Sequence, residues 1–235
     1  MAELDLTRYF NRMFKPLTPE QLEGLARPAY DSRYAIDPED ASSILKPGYL
    51  LLENGIARLE DGTVMVAVRN EMPGVSADMM DWWFGFTEYE DERYQVWHPL
   101  DHLAAHRDKD HRDAPTDKER YVGNTSRVEE YVGGGKVYRF AISFRDPELV
   151  KLAAARVNEI GTAIYATVAD SDTGVPVSSF LHMVREKPGG SELRSRFWQL
   201  NPDETSARKL ICHCAEEFGN LASFLPALYR EATTH

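Results

Sequence analysis

The chain has 235 residues, of which 43% are hydrophobic, so it can form the core of one sizeable domain with a small N-terminal extension. Its formal net charge of −11 argues against a nucleic-acid partner, because binding to phosphates requires a clustered basic surface, which the sequence lacks. An uncharged or weakly polar small ligand fits the composition better.

The sequence also argues against a membrane span and against a disulfide framework. No apolar run approaches the roughly 18 residues that indicate a membrane span, and the N-terminal sequence MAELDLTRYFNRMFK lacks the apolar core of a secretion signal. The two cysteines, Cys212 and Cys214, are two residues apart in a predicted helix and point to different sides of it, which excludes a disulfide framework. These features predict a cytoplasmic protein with reduced thiols.

The N-terminal part of the chain differs in composition from the rest. Residues 1–45 are rich in proline, aspartate and tyrosine, which predicts a mostly irregular layer packed on a domain formed by residues 46–235. N-cap signals at Thr18 or Pro19, and at Asp37, predict short helices within this layer.

From Gly48 onward the sequence alternates with a period of two, which is typical of β-strands. Two strand-forming runs in GYLLLENGIARLEDGTVMVAVRNEMPG are joined by Asp61-Gly62, which predicts a hairpin. The stretch ADMMDWWFGF, residues 77–86, predicts a short helix whose paired tryptophans line a groove or an interior wall. Further strands are predicted at RYQVW, SRVEEYVG, KVYRFAISF, AIYATVAD, SSFLHMVREK and ELRSRFWQL.

Two helical patterns complete the chain. PELVKLAAARVNEI predicts an intervening helix, and one long pattern runs from near Asp203 to about Tyr229, with Pro226 as a late interruption. The elements together predict an α+β domain in which a large antiparallel sheet closes over a long C-terminal helix.

The apolar face of the C-terminal helix contains a glutamate. At about 100° per residue, Glu217 falls inside the apolar arc and His213 lies at its edge, one turn earlier. The arc is formed by Leu210, Cys214, Phe218, Leu221, Leu225 and Leu228. Burial of a carboxylate without a partner is costly, so Glu217 requires a cation, a metal or a proton. Alternatively, His213 and Glu217 hydrogen-bond to each other or to an arginine of the sheet.

A histidine-rich tract, YQVWHPLDHLAAHRDKDH, supplies further candidate ligands, because neutral imidazole binds zinc and other divalent ions. His98 and His102 follow an apolar segment predicted as a strand, which favours an inward position. His106 and His111 stand among arginine, aspartate and lysine, where surface solvation explains them as well.

The stretch SRVEEYVG supplies another interior carboxylate. Strand alternation places Val128 and Glu130 on one face, and because Val128 suits the core, Glu130 shares the buried side. With His102, His213 and Glu217, it would give a site of two nitrogens and two carboxylates. This donor set suits zinc and leaves room for a water or a substrate oxygen.

The chain resembles the diacetylphloroglucinol hydrolase and phloretin hydrolase family. The resemblance extends over nearly all of the chain after residue 45 and is carried by LKPGYLLLENG, NEMPGVSADMMDWWFGF, RYQVWHPLDH, DKERYVGNTSRVEEYVG, ELRSRFW and HCAEEFGNLASFLPALYRE. It implies a helix-grip fold similar to that of Bet v 1 and START proteins. It also implies hydrolysis of the carbon–carbon bond between an acyl group and a phloroglucinol-type ring, with release of a carboxylic acid. The implied substrate is an acylated polyphenol, and the implied assembly is a homodimer.

The resemblance further implies one zinc ion per chain. The implied ligands are His102, Glu130, His213 and Glu217. His98 competes with His102 because both stand in the WHPLDH motif, and Glu129 takes the place of Glu130 if the register slips by one.

Other residues of the implied site bind the substrate or transfer protons. Tyr94 matches the family's tyrosine that orients the phenolic hydroxyl of the substrate, and the candidates for a general acid or base are Tyr94, His98 and His106, in that order. The flat apolar surface for the ring is assigned to Trp82, Trp83, Phe84 and Trp97. Ordinary core packing explains each of these aromatic residues equally well.

The implied reaction makes a specific demand on the substrate. An aryl ketone resists hydrolysis because its leaving group is an aryl carbanion. A phloroglucinol ring that takes up a proton at the acyl-bearing carbon becomes a β-diketone, which can instead expel a stabilised enolate. Two other functions stay open: a helix-grip protein that binds a hydrophobic or aromatic small molecule without turnover, and a metal-dependent lyase or isomerase.

Overall fold

Eight strands of the computed structural model, which describes residues 4–234, form one sheet. They are β1 (Gly55–Arg58), β2 (Val64–Pro73), β3 (His102–Arg107), β4 (Thr125–Glu130), β5 (Tyr138–Arg145), β6 (Gly161–Asp170), β7 (Pro176–Lys187) and β8 (Gly190–Gln199). Their order across the sheet is β1-β2-β8-β7-β6-β5-β4-β3, and all neighbours are antiparallel. The hairpin predicted around Asp61-Gly62 joins β1 to β2, with Gly62 at a φ of 90° that favours glycine.

Helices cover both faces of the sheet, and several of them connect consecutive strands along the chain. The α-helices are α1 (Pro19–Ala26), α2 (Ala77–Phe86), α3 (Asp91–Trp97), α4 (Asp117–Tyr121), α5 (Ala154–Asn158) and α6 (Glu204–Thr233). The 3-10 helices are Thr7–Tyr9, Ser32–Tyr34, Pro38–Leu45, Thr87–Tyr89 and Pro147–Val150. Within residues 4–234, no helix combines the length and the apolar character that crossing a membrane requires.

The long helix α6 packs against the inner face of the sheet. It begins after Asp203, whose side chain accepts a hydrogen bond from the backbone N–H of Ser206 at 2.8 Å. Most of its predicted apolar arc is fully buried, namely Cys214, Phe218, Leu221, Leu225 and Leu228, and Leu210 is half-buried. The predicted α+β architecture, a sheet that grips a long C-terminal helix, is therefore confirmed.

A second apolar cluster covers the outer face of the sheet. It combines Ala41 and Ile44 of the N-terminal segment with Val150, Leu152 and Val157 of the β5–β6 connection and with Met65, Leu181 and Trp198 of the strands. The 3-10 helix Pro38–Leu45 thus lies on the face opposite α6. The earlier part of the N-terminal segment instead contacts α6, where Arg208 donates to the backbone oxygens of Leu25 and Arg27. The division of the chain into residues 1–45 and 46–235 stays a prediction.

One predicted strand is wrong. RYQVW belongs to helix α3, because Tyr94 and Trp97 are three residues apart and share one buried side of a helix. Asp91 and Glu92 in the first turn also favour the helix. The strand of this region is instead β3, which begins five residues after Trp97, at His102.

Two helix predictions also need correction. The single helix predicted over PELVKLAAARVNEI is divided into a 3-10 turn and α5, since Lys151 adopts a left-handed φ of 62° between them. Helix α6 continues past Pro226 to Thr233. Full burial of Leu225 and Leu228 on either side of the proline compensates for the backbone hydrogen bond that the proline cannot make.

A buried ion pair fastens the segment before β1 to the outer face of the sheet. Arg194 Nε lies 3.1 Å and Arg196 Nη2 lies 2.8 Å from Oε2 of Glu53. The same guanidinium groups donate to the backbone oxygens of Ile44 and Leu52. Burial by itself would raise the pKa of Glu53, but the two guanidinium groups lower this pKa to about 2.

Replacing Glu53 by Gln is expected to lower the free energy of unfolding by about 3–5 kcal/mol at pH 7, because two buried arginines lose their counter-charge. The pKa of Glu53 is lower in the folded chain than the ordinary value of 4.5. The stabilising effect of the carboxylate is therefore complete above pH 4.5 and is lost as the pH falls toward 2. Urea unfolding of both proteins at pH 7 and pH 3.5 should show a difference that shrinks with acid.

The exposed Glu60, in the hairpin between β1 and β2, provides the control for this measurement. Glu60→Gln should unfold at the wild-type urea concentration. Equal midpoints for the wild type and Glu53→Gln at pH 7 would show that the ion pair does not stabilise the fold.

Candidate metal centre

Four buried side chains converge between the sheet and α6. His213 and Glu217 stand one turn apart on α6, while His102 begins β3 and Glu130 ends β4, where these two residues are register partners. His102 Nε2 lies 3.6 Å from Glu130 Oε2 and 3.7 Å from Glu217 Oε2. His213 Nε2 lies 3.9 Å and 3.8 Å from the same two oxygens. Two imidazoles and two carboxylates thus direct one atom each toward a common point.

The spacing of these atoms suits a divalent cation. Ligands at about 2.0–2.1 Å from a tetrahedral zinc ion lie roughly 3.4 Å from one another. The four separations between nitrogen and oxygen atoms, 3.6 to 3.9 Å, are slightly wider and are closer to this value than to a hydrogen-bond length. A set of two nitrogens and two oxygens accepts zinc and other first-row ions.

Hydrogen bonds orient both imidazoles for this role. His102 Nδ1 lies 2.9 Å from the backbone oxygen of Tyr94, and since a carbonyl only accepts, Nδ1 carries the proton and Nε2 presents a lone pair. His213 Nδ1 donates to Asp101 Oδ2 at 2.9 Å and leaves Nε2 directed at the carboxylates. A carbonyl or a carboxylate behind the imidazole is the usual arrangement for metal-binding histidines.

His98 is oriented in the opposite way. The backbone N–H of Asp101 donates to His98 Nδ1 at 3.1 Å, so the proton of the neutral ring lies on Nε2, which faces Glu216 Oε2 at 3.4 Å. His98 stacks on His213 at 4.8 Å between ring centroids, and the two form a second close group with Asp101. A protonated Nε2 does not suit a metal ligand, and this geometry favours His102 over His98.

The two carboxylates of the EE pair also differ in position. Glu130 is buried, whereas Glu129 is half-buried on the other face of β4 and pairs with Arg139 at 2.9 Å. The alternation predicted for this strand is therefore present, and it directs Glu130 to the interior.

The ionisable groups of the cluster shift one another's pKa values. Burial, aided by the carboxylates of Glu130 and Asp101 and opposed by His213, raises the pKa of Glu217 to about 8. Burial alone would lower the pKa of His213, but the hydrogen bond to Asp101 and the charges of Glu217 and Glu130 raise it to about 9. Burial, with repulsion from His213, lowers the pKa of His102 well below its ordinary value. The cluster thus favours bound positive charge, which protons or a metal cation can supply.

A cavity of about 370 Å³ opens beside the four side chains, within the range of small-molecule sites. Tyr94 and Trp97 of α3 line it next to the cluster. The opposite walls are mainly apolar and include Phe140, Ile142, Val168, Phe180 and Phe197. The cavity therefore suits a flat and largely apolar ligand whose polar groups face the cluster.

Tyr94 contacts two members of the cluster. Its hydroxyl donates to Glu130 Oε2 at 2.5 Å, and its ring stacks on His102 with centroids 3.8 Å apart. Burial, together with the nearby carboxylate of Glu130, raises the pKa of Tyr94 well above its ordinary value. Tyr94 is therefore a hydrogen-bond donor at neutral pH.

Several predicted site residues lie away from the cavity. Trp82 stacks on Phe86 at 4.6 Å, and Trp83 packs against Phe224 at 5.6 Å, so both belong to the core around the C-terminal part of α6 and do not line the cavity. Because α2 directs them at α6, this position does not favour their assignment to substrate binding, which stays a prediction. Trp97 and Phe84 do line the cavity.

Two predicted proton-transfer candidates also lie outside the cavity lining. His98 lies behind His213, a position that does not favour its assignment as a catalytic residue, which stays a prediction. His106 is exposed on β3, in agreement with surface solvation.

Two buried polar residues of the cavity, Glu88 and His182, are absent from the predicted site. Burial lowers the pKa of His182 to about 3, so the ring is neutral, and its Nδ1 lies 2.8 Å from Ser195 Oγ. Alternation along SSFLHMVREK would have placed His182 on the same face as the buried Phe180 and Val184. For Glu88, in a 3-10 turn between two helices, the sequence has no comparable signal.

Comparisons with known proteins agree with these observations. The family model described as DAPG hydrolase PhiG domain matches residues 36–202. A 2,4-diacetylphloroglucinol hydrolase of Pseudomonas sp. is 32% identical over 227 residues, which cover 83% of this chain and 77% of that protein. A phloretin hydrolase of Eubacterium ramulus is 24% identical over an alignment of 270 positions, which covers 97% of this chain and 90% of that protein.

Among solved structures, Ara h 8.0201 aligns with 69% of this chain and 99% of its own at 11% identity, with a TM-score of 0.43. The strand order and the packing of α6 on the sheet identify the fold. The family model covers most of the chain and the Pseudomonas relative exceeds 30% identity. The chain belongs to the DAPG hydrolase PhiG family.

Proposed function

We propose that this protein is a zinc-dependent hydrolase that cleaves the carbon–carbon bond between an acyl group and a phloroglucinol-type ring and releases a carboxylic acid. The observation that carries the proposal is the convergence of His102, Glu130, His213 and Glu217 at the wall of an apolar cavity. The names of the relatives, 2,4-diacetylphloroglucinol hydrolase and phloretin hydrolase, support this class of substrate.

One zinc ion per chain would be held by the same four residues. A divalent ion held there supplies Lewis-acid polarisation to a carbonyl oxygen and makes water a stronger acid. Because the two carboxylates balance its charge, the set would be neutral overall, which reduces the cost of burying it.

The residues of the chain account for the remaining requirements of the reaction. The apolar walls hold the ring and exclude bulk water. The Tyr94 hydroxyl, already bound to Glu130, is placed to orient a phenolic hydroxyl and to hold the proton that the ring carbon takes up. Water adds its hydroxyl to the acyl carbonyl carbon and its proton to the ring, so the products are a free acid and the deacylated phenol.

The test is an assay of the purified protein with 2,4-diacetylphloroglucinol and phloretin in water labelled with oxygen-18. Release of a free acid that carries one labelled oxygen is expected with at least one of these substrates. Glu130→Gln should lose this activity, while Glu129→Gln, the adjacent outward-facing residue, should keep it. Binding of both compounds without a product would instead favour a non-catalytic helix-grip binder, and a product without labelled acid would favour a lyase or isomerase.

Two further expectations stay predictions. The homodimer and the cytoplasmic location both come from the sequence and its resemblance.

Replacing Asp101 by Asn is expected to weaken zinc binding by about 10–100-fold, because partners behind a metal-binding histidine contribute this much to affinity. Asp101 Oδ2 accepts from His213 Nδ1 at 2.9 Å and from the backbone N–H of Gly133 at 2.7 Å. Burial alone would raise the pKa of Asp101, but these hydrogen bonds lower it to about 2, so the side chain is charged. Competition with a chelating dye measures the affinity.

The matched control for this variant is Asp108→Asn, at a half-exposed aspartate that pairs with Arg127 far from the cluster. It should bind zinc with the wild-type affinity. Equal affinity of Asp101→Asn and the wild type would show that Asp101 does not support the metal site.

A further inference from the structure

Glu88 is a buried carboxylate of the cavity wall that the proposed mechanism does not use. It stands in the 3-10 turn between α2 and α3 with φ −93° and ψ 24°, outside the helical region. Its Oε2 accepts from Arg107 Nη2 at 2.9 Å and from Ser126 Oγ at 2.5 Å. Arg107 and Ser126 are register partners on β3 and β4, so this oxygen is held by the rigid edge of the sheet.

The second oxygen of Glu88 is in a different position. Within residues 4–234, Oε1 accepts no hydrogen bond from the protein. It also keeps some accessible surface, because it is not one of the fully buried side-chain atoms that lack a hydrogen-bond partner. Because Glu88 lines the cavity, Oε1 borders the cavity space. Burial raises the pKa of Glu88, and the charge of Arg107 opposes this rise. With the Arg107 guanidinium as its counter-charge the group is a carboxylate, whose Oε1 only accepts hydrogen bonds and so fits a ligand group that donates one.

The position of Glu88 relative to the metal cluster sets the size of such a ligand. Ser126, which holds Glu88, and Glu130, which belongs to the cluster, face inward on the same strand four residues apart. At 3.3 Å per residue, their Cα atoms are about 13 Å apart. The two carboxylates therefore mark different levels of one wall, and a ligand in contact with both must be long enough to reach from one level to the other.

The charge of the wall restricts the ligand class further. Glu88 borders the cavity away from the metal cluster, so an anionic group of a ligand in contact with Oε1 would be repelled by this carboxylate. A neutral ring with a hydroxyl group at its far end meets both the charge and the donor requirement.

We propose that Glu88 recognises the substrate by accepting a hydrogen bond from the ring hydroxyl para to the acyl group. This inference rests on the proposed function, since it assumes that the acyl carbonyl lies at the metal cluster. Arg107 and Ser126 fix the carboxylate in advance, so the site selects acylated rings with the para hydroxyl over rings without it. Glu88 is thus a specificity-determining residue.

The test compares two ligands that differ only in this hydroxyl, 2,4,6-trihydroxyacetophenone and 2,6-dihydroxyacetophenone. Their dissociation constants for the zinc-loaded wild type are measured by stopped-flow tryptophan fluorescence, before turnover. We expect the trihydroxy compound to bind at least about tenfold more tightly, because a hydrogen bond to a charged acceptor has this effect. A ratio below about threefold would overturn the inference.

The variant Glu88→Gln provides the second arm. Arg107 and Ser126 both donate, so they hold the amide oxygen and turn the NH₂ group toward the cavity, where the acceptor stood. The affinity ratio should fall to less than a third of the wild-type ratio, with unchanged zinc content, while Glu129→Gln should keep the wild-type ratio. A ratio that Glu88→Gln leaves unchanged would overturn the inference.

Two outcomes separate this inference from the proposed function. Wild-type protein that binds neither compound contradicts the proposed function itself, whereas equal binding of both contradicts only the role of Glu88. If Glu88→Gln does not fold because Arg107 loses its counter-charge, the double variant Glu88→Leu/Arg107→Met removes both charges, and the same ratio is measured on it.

Discussion

Replacing Glu217 by Gln is expected to remove the bound metal and to reduce hydrolysis by at least about 10³-fold, while the fold is kept. A neutral amide cannot replace the charge of the carboxylate, and three ligands with one remaining negative charge hold a divalent ion weakly. The folded chain without metal should keep its stability, because burial raises the pKa of Glu217 to about 8, so the metal-free side chain is mostly protonated at neutral pH and the neutral amide resembles it. Elemental analysis, circular dichroism and the acid-release assay measure the three effects.

Its neighbour Glu216 provides the matched control. Glu216 lies on the same turn of α6 but faces His98 and is about one-third exposed, with a side-chain exposure of 32%. Glu216→Gln should keep both metal and activity. If the Glu217→Gln protein retains one equivalent of metal and full turnover, the proposed metal site takes no part in the reaction.

Replacing Tyr94 by Phe is expected to lower kcat by about 10²–10³-fold with little change in metal content. The phenyl ring can keep its stacking on His102, while the hydroxyl that donates to Glu130 is lost. A positioned proton-transfer group contributes about 10²–10⁴-fold to a rate. Steady-state kinetics and elemental analysis of the same preparation separate the loss of the hydroxyl from a loss of metal.

Tyr121 is the control, because it is also a buried tyrosine whose hydroxyl donates to a carboxylate, Asp81 at 2.7 Å, but it does not line the cavity. Tyr121→Phe should lose some stability and no activity per folded molecule. Unchanged kcat in Tyr94→Phe would show that the hydroxyl takes no part in the reaction.

The parts of the fold and site that follow from sequence periodicity could be predicted. Helical spacing identifies Glu217 within the apolar arc of α6, and strand alternation turns Glu130 inward beside Val128. These predictions succeed because a period fixes which face of an element a residue occupies. They do not require knowledge of the partner element.

The remaining features depend on contacts that no period encodes. RYQVW has apolar residues that suit a strand or a helix, and tertiary packing selects the helix α3. The choice between His98 and His102 depends on whether Nδ1 accepts from a backbone N–H or donates to a backbone carbonyl. The sequence predicts both the helix of Trp82 and Trp83 and the helix α6, but no periodicity shows that these two helices pack against each other.

The most direct test of the account is an anomalous difference map from crystals of the protein grown with zinc, measured above the zinc absorption edge. We expect one strong peak per chain within bonding distance of His102 Nε2, His213 Nε2, Glu130 Oε2 and Glu217 Oε2. A peak bound instead by His98 and Asp101, or the absence of any peak beside Glu217 at a zinc concentration that saturates the protein, would contradict it.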